Sequence, residues 1–165
     1  MRGPFRVARD SPSAPDVSAL LHEHLREMAA TSPAESVHAL GHAALEAPDI
    51  EFVTAREQGD GALLGCGALK VHDHALGELK SMRTVSAARG QGVASAILQH
   101  LLERARTRGL ARVSLETGAE DYFAPARRLY AHHGFLPTAP FADYTDDPNS
   151  VYLTLALRPS EVNQR

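Results

Sequence analysis

Just after Val85 the chain reads Arg89-Gly90-Gln91-Gly92-Val93-Ala94 and then turns helical. A helix N-terminus carries unpaired N–H groups and about half a positive charge, so glycines ahead of it let a phosphate approach those donors. Gly90 and Gly92 permit tight curvature and close approach, Ala94 keeps the first turn slim, and Arg89 adds a fixed cation. The pattern suits capture of a phosphorylated ligand. A Walker phosphate loop is excluded by the missing Gly-Lys-Ser/Thr ending. A dinucleotide fingerprint is poorly met, although Glu116 follows after a helix and a strand. Its glycines lag the strand by several residues, Ser95 stands where a third small residue is expected, and no second mononucleotide half follows. A tight connection without a ligand is the plain alternative, since two glycines alone are weak evidence.

His72-Asp73-His74 places two imidazoles at alternate positions, but zinc needs three or four converging ligands and Cys66 has no partner motif, so no metal is expected. His132 and His133 are adjacent on a helix and diverge. Arg104, Arg106 and Arg108 are spaced by two, fan around a helix and read as a solvated surface.

The elements that must position the loop follow from hydrophobic period and punctuation. Phe5-Arg6-Val7-Ala8-Arg9 alternates as a half-buried strand. From Asp16, a plausible N-cap, Val17, Leu20, Leu21, His24, Leu25 and Met28 recur at helical spacing up to about Thr31. Ser32-Pro33 suggests the start of a second helix with Val37, Leu40, Ala44 and Leu45 on its inner side. Residues 50–55 and 62–71 flank Gln58-Gly59-Asp60-Gly61 as a hairpin, and 78–85 adds a third strand. Val93, Ala94, Ile97, Leu98, Leu101, Leu102 and Ala105 form a wide apolar helical stripe, stopped by Arg108-Gly109. A strand over 112–117, a helix over 124–133 with Pro125 in its first turn, and closing strands over 135–141 and 151–157 complete the chain. The order predicts an α+β, or mixed α/β, fold in one domain of residues 1–165 with its core over about 5–157.

Composition sets the limits. The chain has 165 residues, 44% hydrophobic and 22% charged, enough for one core that buries about two-thirds of the unfolded surface. A charge of −3 and a pI near 6.3 leave no basic footprint for nucleic acid. Cys66 is the only cysteine, no apolar leader opens the chain, and no stretch approaches the roughly 20 apolar residues of a membrane span. A cytoplasmic location and no membrane partner are expected.

In this setting Arg89-x-x-Gly92-x-Ala94 resembles motif A of the GNAT superfamily of N-acetyltransferases, in which an Arg or Gln, a Gly and a Gly or Ala hold the coenzyme A pyrophosphate. Met82-Arg83-Thr84-Val85 is similar to that family's splayed strand, and Ala126-x-x-Leu129-Tyr130-x-x-x-Gly134-Phe135 to its final helix and strand. Element order agrees from Phe5 to Leu157. Leu115-Glu116-Thr117-Gly118, Pro140-Phe141-Ala142-Asp143-Tyr144 and Asp147-Pro148-Asn149 look like one bacterial subgroup of the superfamily, mostly named by similarity.

The resemblance implies a central mixed, mostly antiparallel sheet with splayed parallel strands at the acyl-CoA site, flanked by helices. It implies acetyl-CoA as co-substrate, met by the backbone of Met82, Arg83 and Thr84 and by Arg89, Gly90, Gln91, Gly92, Val93, Ala94 and Ser95. Tyr130 matches the tyrosine that protonates the departing thiolate. Glu78 resembles the base of histone-type members and Glu116 that of ribosomal-protein-type members, and the two stay open as bases. Phe123 stands where many members carry Asn seven residues before the tyrosine, which departs from the usual pantetheine or ribose contacts. The acceptor implied is an amine of a small molecule, amino acid or peptide, in a pocket built by 16–45 and 141–150, where Phe141, Asp143, Tyr144, Asp146 and Asp147 suit a cation. The alternative is a catalytically weak coenzyme A binding or sensing module. A homodimer is left open.

Overall fold

The structure is a computed structural model describing residues 4–37 and 41–158. Seven strands are present: β1 (Phe5–Arg9), β2 (Ile50–Glu57), β3 (Leu63–Val71), β4 (Leu76–Thr84), β5 (Arg112–Gly118), β6 (Leu136–Pro137) and β7 (Ser150–Ala156). They form one sheet in the order β1-β2-β3-β4-β5-β7-β6. Every neighbouring pair is antiparallel except β4 and β5, which run parallel. The helices are α1 (Pro15–Thr31), α2 (His42–Leu45), α3 (Val93–Thr107) and α4 (Ala124–His132).

The apolar stripe of α3 behaves as its period requires. Val93, Ile97, Leu98, Leu101, Leu102 and Ala105 are buried against Val53, Leu69, Leu79, Val113 and Leu115 on one sheet face. Each larger apolar side chain removed from water contributes about 1.5–3 kcal/mol, which makes this contact the main anchor of the loop ahead of α3. Close approach is possible because β3 carries glycine beneath the helix: a Cβ on Gly67 would lie 2.8 Å from Ile97 Cγ2. On the opposite face Val17, Leu20, Leu21 and Leu45 cover Phe52, Cys66 and Ala68.

Several local expectations are corrected. α1 starts at Pro15 with Ala14 as N-cap, because Asp16 lies in the first turn and is held by Arg56 Nη1 at 2.6 Å. The second helix is broken into a 3-10 turn (Ala34–Ser36) and the single turn of α2, with positions 38–40, including Leu40, outside the described residues. Gly41 separates the fragments and provides no helical bias. The first closing strand shrinks to β6, since Pro137 and Pro140 lack the N–H that a longer ladder needs. Nor are the α3 arginines merely solvated: Arg104 Nε at 2.8 Å and Arg108 Nε at 3.5 Å compensate the buried carboxylate of Glu51. Among the described residues no helix is long and apolar enough to cross a membrane.

Candidate active site

The loop after β4 takes the shape its glycines allow. A 3-10 turn (Ser86–Ala88) ends at Arg89, Gly90 has φ 75° and Gly92, the N-cap of α3, has φ 82°. Both φ values lie in the left-handed region that favours glycine. A Cβ at either position would meet nothing within 4 Å, so backbone conformation rather than crowding demands glycine there. No side chain caps α3, whose first N–H groups are left for another acceptor. Arg89 is exposed and has no ion pair among the described residues. Ser95 Oγ instead meets His133 Nε2 at 2.8 Å, tying the head of α3 to the end of α4. A groove of about 480 Å³ runs past Thr84, Arg89, Gly92, Ala94, Leu129 and Tyr130.

The open edge beside this groove comes from β4. Cys66 pairs with Arg83 and Ala68 with Lys80, so three steps on β4 oppose two on β3 and a bulge forms around Ser81 and Met82. Ser81 has φ 55°, an uncommon value for a residue with a Cβ. Its carbonyl accepts from Cys66 Sγ at 3.3 Å. β4 and β5 are paired only from Leu76 to Glu78 on one side and Arg112 to Ser114 on the other. Beyond that they splay, leaving backbone donors and acceptors of β4 available to an extended ligand. Met82, Arg83 and Thr84 line the groove, and the Arg83 guanidinium is engaged by α1. It is buried against α1, 2.9 Å from Glu23 and 2.6 Å from Glu27, and is 2.9 Å from the Tyr122 hydroxyl. Arg83 is therefore a strut between β4 and α1.

Below the groove lies a smaller chamber of about 100 Å³, bounded by Glu78 and Lys80 of β4, Glu116 of β5, Tyr130 of α4, His24 of α1 and Tyr144. Tyr130 forms part of both walls. Its ring packs edge-on to Phe135 at 5.7 Å, and its hydroxyl has no hydrogen bond among the described residues. Burial raises its pKa above the usual phenol value, so the hydroxyl keeps its proton.

The two carboxylates differ in surroundings. Glu78, 2% exposed, receives the Tyr144 hydroxyl at 2.5 Å and Lys80 Nζ at 3.3 Å on one oxygen, and His72 Nε2 lies 2.8 Å from the other. Glu116 is pushed up to about 7, chiefly by burial, with Lys80 drawing it down and the charges of Glu78 and Asp147 adding to the rise. His24 is pushed down to about 4 by burial and by Arg83, so it faces the chamber as a neutral imidazole.

The structure brings Glu78, Glu116 and Tyr130 into one chamber and the residues from Arg89 to Ser95 into the adjoining groove and its rim. Gln91 turns back to donate to the Ala87 carbonyl at 3.2 Å. Tyr144 belongs to the expected acceptor pocket, whereas His24 and Lys80 were not expected in the site. His24 was hidden in the α1 stripe, and Tyr144 reaches the chamber only through the loop joining β6 to β7. Lys80 carried a legible signal, alternating with Glu78 on one strand face. Phe123 contributes to both cavities, and a Cβ on Gly118 would collide with its ring. An aromatic wall thus replaces the amide expected there. Among the described residues no group of three or more His, Cys, Asp or Glu could hold a metal.

Comparison with known proteins agrees with this architecture. Residues 17–135 match the model of the acetyltransferase (GNAT) family. An uncharacterized N-acetyltransferase of Bacillus subtilis, YsnE, is 50% identical over 153 residues, spanning 93% of this chain and 100% of that protein. An IAA acetyltransferase of Azospirillum brasilense is 36% identical over 92% of this chain and 97% of that one. The fold is also that of Rv2747 from Mycobacterium tuberculosis, solved in complex with coenzyme A. The TM-score is 0.67 with 24% identity, over 93% of this chain and 99% of that one.

Proposed function

Given that the chain belongs to the acetyltransferase (GNAT) family and is an acyl-CoA-dependent N-acetyltransferase, we propose that it carries an acetyl group from acetyl-CoA to the amine of a small molecule or peptide by direct attack on the thioester. The observation that carries this reading is Tyr130, an unbonded phenol in the wall shared by the phosphate-loop groove and the two-carboxylate chamber.

In this reading the first N–H groups of α3 and the Arg89 side chain hold the pyrophosphate of acetyl-CoA. The β4 backbone from Met82 to Thr84, unpaired on the side facing β5, meets the pantetheine arm. Phe123 provides an apolar wall where a polar contact is usual, so the arm is held there by packing.

The acceptor amine arrives as an ammonium and must lose a proton before it attacks. Glu116 suits this better than Glu78. Burial gives it a pKa near working pH, where a base is both ionised and proton-seeking. The lone pairs of Glu78 already serve Tyr144, Lys80 and His72, which makes it the hub that orients the chamber. Attack on the thioester carbon forms the C–N bond, collapse breaks the C–S bond, and Tyr130 protonates the departing thiolate.

A small chamber supports a slim primary amine as acceptor, and the similarity to an IAA acetyltransferase supports a small molecule. The test is turnover of acetyl-CoA against a panel of small amines, amino acids and short peptides. Thiol release and acetylated product should appear together for at least one class. Coenzyme A binding by calorimetry with no turnover on the whole panel would sink the catalytic reading in favour of a coenzyme A binding module.

A further inference from the structure

Of the 17 cationic side chains in the sequence all are arginine except Lys70 and Lys80. A guanidinium holds its proton and cannot serve as a nucleophilic amine, whereas a lysine ammonium can be deprotonated when partly buried. Lys70, on β3, lines neither the groove nor the chamber. Lys80 lies in the chamber wall with its side chain only 10% exposed, two residues before Met82, which borders both cavities. Its Nζ donates to the Tyr144 hydroxyl at 2.9 Å and to Glu78 Oε2 at 3.3 Å. The protein therefore holds an amine of its own beside a buried carboxylate, in the compartment read above as the place where acceptor amines lose a proton and attack.

We propose that Lys80 is an internal acyl acceptor, so that without a substrate amine the enzyme transfers the acetyl group of acetyl-CoA to its own Lys80 Nζ and blocks the chamber. The inference rests on the acyl-CoA reading of the groove. The Lys80 ammonium passes a proton to Glu78, which it already touches, and His72, 2.8 Å from the other Glu78 oxygen and more exposed than it, carries the proton outward. The neutral Nζ attacks the thioester carbon, the C–N bond forms and the C–S bond breaks. The thiolate leaves as free coenzyme A thiol after taking the Tyr130 proton, and the second Nζ proton, shed as the amide forms, restores the Tyr130 hydroxyl. The product is an uncharged amide in place of the cation that balances Glu78. The added acetyl group occupies space in a chamber of only about 100 Å³. The groups facing Lys80 are Glu78 on its own strand, Glu116 on β5, Tyr144 on the covering loop and His24 on α1. A substrate amine in the chamber competes with the reaction.

The experiment incubates the full chain with acetyl-CoA and no added amine, follows intact mass and maps the acetylated peptide. The expected result is one acetyl group per chain, on Lys80. It is absent in Lys80→Arg, slowed about tenfold or more in Tyr130→Phe, and accompanied by loss of acceptor turnover in proportion to the acetylated fraction. Mapping on the wild-type chain keeps the test valid should Lys80→Arg fold poorly. Acetylation of Lys70 and Lys80 at equal rates, or at the rate of the urea-unfolded chain, would mark plain chemical acylation and overturn the proposal. So would an unmodified Lys80 in a chain that calorimetry shows to bind coenzyme A, which leaves the acyl-CoA reading standing. Failure to bind coenzyme A at all would remove both.

Discussion

Glu116→Gln separates catalysis from stability, because the group proposed as base is also one that folding penalises. The carboxyl moves from 4.5 in the unfolded chain to about 7 in the folded one. Between those values the unfolded chain is ionised while the native one retains its proton. The native state then binds more protons, and stability falls as pH rises through this window. The full gap corresponds to roughly 3 kcal/mol at 1.36 kcal/mol per pH unit, and the partial exposure of Glu116 reduces it to about 2 kcal/mol. Glutamine has the same shape and does not titrate. The variant should therefore match the wild type near pH 4 and exceed it by about 2 kcal/mol at pH 8.5, a rise in Tm of roughly 4–8 °C for a chain of this size. Thermal unfolding followed by circular dichroism at the two pH values reads the difference directly. In parallel, kcat/KM of the wild type should fall as pH drops below about 7, and the variant should lose a factor of about 10²–10⁴ along with that limb. Equal stability of the two proteins at pH 8.5, or an acid limb that survives in Glu116→Gln, would refute the reasoning and return the base role to Glu78.

Tyr130→Phe should lower kcat by about 10²-fold with little change in coenzyme A affinity, because the lost hydroxyl acts on the leaving thiolate; pre-steady-state rates against calorimetric Kd distinguish the two effects. Arg89→Ala should raise the KM for acetyl-CoA about tenfold at low salt, the difference from wild type shrinking as ionic strength screens the charge. Gly92→Ala forces a Cβ into a left-handed φ of 82°, so a loss of about 1–2 kcal/mol in denaturant unfolding is expected. Arg83→Leu strands Glu23 and Glu27, which stay partly exposed. Its cost should be about 2 kcal/mol, below the roughly 3–5 kcal/mol of a fully buried pair, with α1 losing hydrogen-exchange protection first.

Much of this protein was legible in one dimension because the relevant signals are local. The α3 stripe, the glycines at 90 and 92, the Gly109 and Gly134 stops and the three-strand meander each follow from period or φ preference, and each stands where that logic puts it. The helix expected after Ser32 failed for the converse reason. A short apolar run interrupted by Gly41 carries little helical bias, and the loop joining β6 to β7 reaches back to hold that segment. Asp147 takes the Ser36 hydroxyl at 2.6 Å, a contact between residues 111 apart. The candidate site divides in the same way. A phosphate-approach loop and a tyrosine in a matching helix are properties of sequence. The different surroundings of Glu78 and Glu116 are not, since burial, the Lys80 charge and the Tyr144 hydroxyl converge only when β4, β5 and the loop after β6 come together. The splay of β4 from β5 belongs to tertiary structure as well: the bulge at Ser81 needs Gly67 opposite it and α3 packed beneath. Local propensities set the elements and the turn that awaits a phosphate. Desolvation and long-range contact decided which carboxylate is poised near neutral pH, and that a lysine lines the same chamber.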